Sequence, residues 1–117
     1  MQPHIRSAVA AMALAHALGR KVDSIYSYSE SEYRLITVTV SGNRVDGYDY
    51  AASCFFDGNI PDLYHYGQNA HIEFKALGNG RYEGYDYGSS AHYEVKVTGQ
   101  NAEIYDYGVS GYFDYSL

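Results

Sequence analysis

Tyr64 to Leu77 reads YHYGQNAHIEFKAL, and Tyr85 to Thr98 reads YDYGSSAHYEVKVT. Seven of these fourteen positions are identical: both tyrosines, Gly67/Gly88, Ala70/Ala91, His71/His92, Glu73/Glu94 and Lys75/Lys96. Chance supplies about one identity in such a window, so the segment is a duplicated unit. Its opening pair, Tyr-x-Tyr, occurs five times, at Tyr26/Tyr28, Tyr48/Tyr50, Tyr64/Tyr66, Tyr85/Tyr87 and Tyr105/Tyr107, in steps of 22, 16, 21 and 20 residues. Ten of the fifteen tyrosines lie in these pairs. The copy after Tyr48 is shortened, and the copy after Tyr26 keeps the pair but diverges beyond it.

Each unit has two halves. Small residues such as Gly88-Ser89-Ser90 follow the tyrosine pair and mark a turn. A run then alternates with period two, Tyr93, Val95 and Val97 against His92, Glu94 and Lys96, which is a strand with unlike faces. A second break follows at Gly42-Asn43, Gly78-Asn79-Gly80 or Gly99-Gln100-Asn101, residues that tolerate the positive φ of tight hairpins. One unit is therefore about one hairpin. The pattern predicts an antiparallel meander of 8–10 short strands, near 22-28, 33-41, 44-50, 52-57, 60-66, 70-77, 81-87, 91-98, 102-107 and 111-117. The alternative at this period is a β-solenoid capped by a helix, with parallel rungs. The Gly-Asn breaks favour hairpins.

Before the repeats, residues 5–18 are nearly continuous alanine with Ile5, Val9, Met12, Leu14 and Leu18 as the large apolar side chains. Alanine is the strongest helix former. Pro3 suits the first turn, and Gly19 suits a C-terminal cap followed by Arg20 and Lys21 at the negative dipole end. The fold class expected is thus mostly β (α+β): a single domain, 1–117, with a helix at 5–18 and a twisted repeat sheet over 22–117 that can curl around it. Small alanines allow close approach to the sheet, with Gly47 and Gly84 as matching flat points.

Composition excludes several classes. Net charge is −6 with eight basic residues that do not cluster, which argues against nucleic acid. No window is long and apolar enough to span a membrane. Cys54 is the single cysteine, so no internal disulfide forms, and beside Phe55 and Phe56 it reads as a core residue. Residues 1–17 end in Ala15-His16-Ala17, which fits a signal-peptide cleavage site and a secreted or periplasmic protein. The weak hydrophobicity of the alanine run favours a structural helix, and a cytoplasmic location is expected.

No nucleophile elbow, zinc-protease motif, phosphate loop or dinucleotide fingerprint is present, so the chain reads as non-enzymatic, with no cofactor. Among metal-ligand candidates, His71, His92 and Asp86 are the best set, but a lysine in each copy competes for the carboxylates, and a solvated charge ladder with cross-strand Glu–Lys pairing fits better. Asp49, Asp86 and Asp106, with His65 and Ser27 in equivalent places, lie too far apart for a calcium loop and read as turn or solvated residues.

The tyrosine pairs carry the functional expectation. Both rings of a pair project to one strand face, and the middle residue to the other. Which face is buried depends on register. A two-residue turn at Gly42-Asn43 sets Val40 opposite Val45 and Ile36 opposite Asp49, placing the tyrosines away from the valines. The same turn at Asn79-Gly80 sets Phe74 opposite Tyr85 and Ile72 opposite Tyr87, which joins the tyrosines to the apolar face. The expected role is a non-catalytic interaction protein whose acidic, tyrosine-rich face binds a protein partner or a second copy, as a small inhibitor or immunity-type factor does. The alternative is a small-ligand carrier with a tyrosine-lined cavity between helix and curved sheet.

Overall fold

Ala8, Val9, Ala10, Ala11, Met12, Ala13 and Leu14 are all completely buried. A helix turns 100° per residue, so seven consecutive buried positions cover its whole circumference. The computed structural model describes residues 1–117. In it this segment belongs to one helix, α1 (Pro3–Leu18), enclosed on every side by sheet. Pro3 occupies the first turn, two residues before the expected start. Gly19 ends the helix in the left-handed conformation at φ 63°, where a side chain is disfavoured.

Eleven strands follow: β1 (Ile25–Ser27), β2 (Glu32–Arg34), β3 (Ile36–Ser41), β4 (Arg44–Asp49), β5 (Cys54–Asn59), β6 (Asp62–His65), β7 (Ala70–Gly78), β8 (Arg81–Asp86), β9 (Ala91–Thr98), β10 (Asn101–Asp106) and β11 (Gly111–Ser116). All pairings are antiparallel, in the order β2-β1-β11-β10-β9-β8-β7-β6-β5-β4-β3. The meander expectation holds, with eleven strands in place of eight to ten because the expected strand at 33–41 is interrupted at Leu35, and the parallel solenoid alternative is overturned.

The two ends of that order, β2 and β3, are separated in the chain by Leu35 alone. The Leu35 carbonyl accepts a hydrogen bond from Tyr50 N–H at 3.0 Å on the β4 flank. On the other flank Val22 and Val38 exchange both backbone bonds, at 3.0 and 2.8 Å. Residues 32–41 thus act as one long strand paired on both sides, and the sheet closes around α1. Closure leaves no long unpaired edge.

The helix lies off-centre. Its closest neighbours are β3, β9 and β10, where inward side chains are small, including Val38, Val95 and Ala102. The opposite wall, β5 to β8, fills the wider gap with Phe56, Phe74 and Tyr82, joined by Tyr93 from the first half of β9.

Register resolves the face question differently from one of the two expectations. The Gly42-Asn43 hairpin pairs Val40 with Val45, Val38 with Gly47 and Ile36 with Asp49, as expected. The β7–β8 hairpin contains a bulge between Ala76 and Gly78. The extra residue sets Phe74 opposite Gly84 and Ile72 opposite Asp86. The tyrosines of both units therefore point outward. Gly47 and Gly84 do not receive the helix: a Cβ on either would meet the Phe56 ring at 2.3 Å or the Tyr93 hydroxyl at 2.5 Å.

Candidate functional site

Superposing the five units by their first tyrosine exposes a regular device at one end of the barrel. Five residues on, Ser31, Ser53, Asn69, Ser90 and Ser110 all adopt left-handed backbone, φ 49–54°. Short polar side chains tolerate that region better than other non-glycine residues. Seven residues on, an aromatic ring or imidazole stands directly across from the first tyrosine: Tyr33, Phe55, His71, His92 and Tyr112. The shortened second copy and the divergent first copy keep this geometry. The variation in repeat length is confined to the opposite end of the barrel.

Each unit therefore carries three rings on the outer wall. The two rings of each Tyr-x-Tyr pair meet edge to face at 4.7–4.9 Å between centroids. The first tyrosine meets its cross-strand partner at 4.6–4.9 Å. Such contacts contribute roughly 0.2–1 kcal/mol each. Tyr26, Tyr48, Tyr64, Tyr85 and Tyr105 are half-buried between their neighbours. Tyr28, Tyr50, Tyr66, Tyr87 and Tyr107 remain 51–59 % exposed. Tyr33, Phe55 and Tyr112 are exposed as well. The result is an aromatic belt around one rim.

The middle residues point inward. Ser27, Asp49, His65, Asp86 and Asp106 are all buried, so of the expected turn or solvated roles for the aspartates the turn role holds and the solvated one is corrected. The three aspartates and His65 cap the following turns from inside, while the Ser27 hydroxyl pairs with that of Ser29 at 3.3 Å. Asp49 Oδ1 accepts Ala51 N–H at 3.0 Å; Asp86 accepts Gly88 N–H at 2.9 Å and the Ser89 hydroxyl at 2.6 Å; Asp106 accepts Gly108 N–H at 2.9 Å. His65 Nδ1 accepts Gln68 N–H at 3.2 Å. The ring surrounds the N-terminal end of α1, whose positive dipole end suits carboxylates. Arg6 reaches Asp106 at 3.2 Å and stacks 3.8 Å over Phe113, while His4 Nδ1 lies 3.4 Å from Asp49.

Cys54 and His65 do not form a nucleophile–base pair. The Cys54 sulfur is 3.9 and 3.8 Å from the two ring nitrogens. Because Nδ1 is taken by Gln68 N–H, the neutral ring carries its proton on Nε2 and offers the thiol no free lone pair. Burial pushes the Cys54 thiol up and the His65 imidazole down from their ordinary values. The candidate metal set also separates: His71 and His92 lie on the outer wall and Asp86 inside, so the three do not converge. At the far end His16 Nδ1 is 2.6 Å from the Tyr82 hydroxyl, as a rim histidine with a partner.

Below the belt the outer wall is charged, with Asp46, Asp57, Glu73, Glu83, Glu94, Glu103 and Asp114 facing outward. A lipid-facing barrel carries an apolar band at that height. No helix is long and apolar enough to cross a membrane. Comparison with protein-family models, with curated proteins and with solved structures finds no match.

Proposed function

We propose that the chain is a non-catalytic interaction protein that uses its aromatic belt to bind a protein partner or a second copy of itself. The observation that supports this most is the outward, half-exposed second tyrosine in all five units. Core packing needs none of these five rings, because the interior is filled by α1 and by Phe56, Phe74, Tyr82 and Tyr93. Tyrosine contributes large contact area at low entropic cost, and is enriched in recognition surfaces for that reason. The small-ligand carrier loses its motivation, since the helix occupies the space where a ligand would sit.

We keep a cytoplasmic location as part of this reading, on the ground that residues 1–17 are structural. Residues 3–18 supply ten buried positions to the barrel core. A cleavable leader ending at Ala17 would leave the sheet without its filling.

Light scattering and affinity capture test the proposal together. Wild type should self-associate or retain a partner that is lost when Tyr28, Tyr50, Tyr66, Tyr87 and Tyr107 are all changed to serine, with the fold preserved by circular dichroism. A strictly monomeric wild type whose captures are unchanged in the variant would remove the reading.

A further inference from the structure

Four of the five units place two carboxylates directly opposite each other across their hairpin: Asp46 faces Asp57, Asp62 faces Glu73, Glu83 faces Glu94 and Glu103 faces Asp114. Every pair is eleven residues apart, two before the unit's first tyrosine and nine after it. Eight of the fourteen acidic residues are used this way. Like charges directly opposite destabilise a sheet. Repeating the arrangement four times beneath the aromatic belt points to a use outside the fold.

One pair shows what such a pair holds. Arg44 sits between Asp46 and Asp57, at 2.9 and 3.7 Å, and the Tyr66 hydroxyl donates to Asp57 at 3.2 Å. Asp46 and Asp57 raise the Arg44 pKa, and the bond to Asp57 raises that of Tyr66. In the fourth unit Glu83, Glu94 and Tyr107 occupy the positions of Asp46, Asp57 and Tyr66. Tyr107 likewise donates to Glu94, at 2.8 Å. The carboxylates and the hydroxyl line a groove of about 400 Å³ with Glu73, Lys75 and His92. No cation lies within ion-pair distance of Glu83 or Glu94: Lys75, which stands across the β7–β8 ladder from Glu83, turns to Glu73 at 3.7 Å, and Arg81, at the position of Arg44, stands opposite Lys96. The girdle as a whole has eight carboxylates against Arg44, Lys75, Arg81 and Lys96, a balance of −4.

We propose that the partner of the belt presents an arginine-bearing basic segment, with a guanidinium seated between Glu83 and Glu94 and its flank against Tyr107. This rests on the belt being the interaction surface, and names the chemistry of what docks there. A guanidinium matches two carboxylates with its planar fork and stacks on an aromatic face, which an ammonium does less well.

A synthetic peptide of alternating arginine and glycine, titrated calorimetrically into the whole protein, tests it. Wild type should bind more tightly than it binds the lysine counterpart, and affinity should fall with added salt. The E83Q/E94Q double variant should weaken binding at least tenfold and raise the melting temperature. A control of equal charge change, D23N/E32Q, should weaken it less than twofold. Equal weakening by the control overturns the proposal, as does a loss of stability in R81Q matching that in R44Q, because Arg81 would then fill the clamp itself. If serine substitution of the exposed tyrosines abolishes partner capture while E83Q/E94Q leaves it intact, the belt reading survives and the arginine assignment falls.

Discussion

Tyr93 lies across Gly84, its partner in the β8–β9 ladder, and its hydroxyl continues past the glycine to donate to the Glu73 carbonyl at 2.6 Å. The ring covers backbone that has no side chain of its own, and burial holds the phenol well above its ordinary pKa. Phe56 covers Gly47 in the same way two units earlier, without a hydroxyl.

The two glycines should respond unequally to substitution. A Cβ on Gly84 would meet the Glu73 carbonyl oxygen, which is backbone and held in the sheet. A Cβ on Gly47 would meet only the Phe56 ring, which can shift. Overpacking costs roughly 1–3 kcal/mol in such cores, and more where nothing can yield. Gly84→Ala should therefore lower urea-unfolding stability more than Gly47→Ala; the reverse order would contradict the ring-over-glycine account.

Enclosure of α1 predicts intolerance on every side. Ala8→Leu and Ala11→Leu probe one flank of the helix, about 60° apart, and Ala13→Leu the other, about 140–160° away. Each should destabilise by about 1–3 kcal/mol in denaturant titrations. Tolerance at one of the three would mean that one flank of the helix is open.

Removing a cap from the rim should loosen a turn. Asp86→Ala deletes the acceptor for Gly88 N–H and for the Ser89 hydroxyl. The expected cost is about 1–2 kcal/mol, in the range of lost helix caps and buried hydrogen bonds. Hydrogen exchange at Gly88 should accelerate more than at Gly108, whose cap on Asp106 is untouched.

Acid should act through His65. Burial is the largest influence and lowers its pKa below the ordinary 6.5; His4 adds to this, while Asp49 and Asp86 oppose it. Below pH 6.5 the unfolded chain binds a proton that the folded ring resists, so stability declines as pH falls from there and levels once the folded ring also protonates. His65→Gln should flatten this part of the stability curve relative to wild type. An unchanged slope between pH 6.5 and 5 would show that other groups carry it.

Much of the barrel was legible because the strands keep strict alternation. The run Tyr93, Val95, Val97 against His92, Glu94, Lys96 fixes β9 and its faces, and Gly42-Asn43 fixes the β3–β4 register. The β7–β8 register was not, since nothing in Leu77-Gly78-Asn79-Gly80 marks which residue is bulged. Closure was hidden too: it depends on one strand, residues 32–41, pairing on both flanks, which is a tertiary fact. The turn role of the aspartates was legible but their burial was not, because an isolated carboxylate prefers water, and only the fold shows the turn N–H groups and helix end waiting inside. The opposed carboxylates emerge only from the hairpin register, which sets acidic residues eleven apart across from each other.

A filled barrel imposes an order of assembly. The final seam joins Tyr26 to Ser116, and 116 − 26 gives a separation of 90 residues. Contacts that distant form slowly, whereas the helical segment is translated first and can coil on its own timescale. A ring sealed early would have no route for the helix to enter. The plug must already be cradled by the nascent wall when the last hairpin arrives, which makes the C-terminal strand the lid that locks it in.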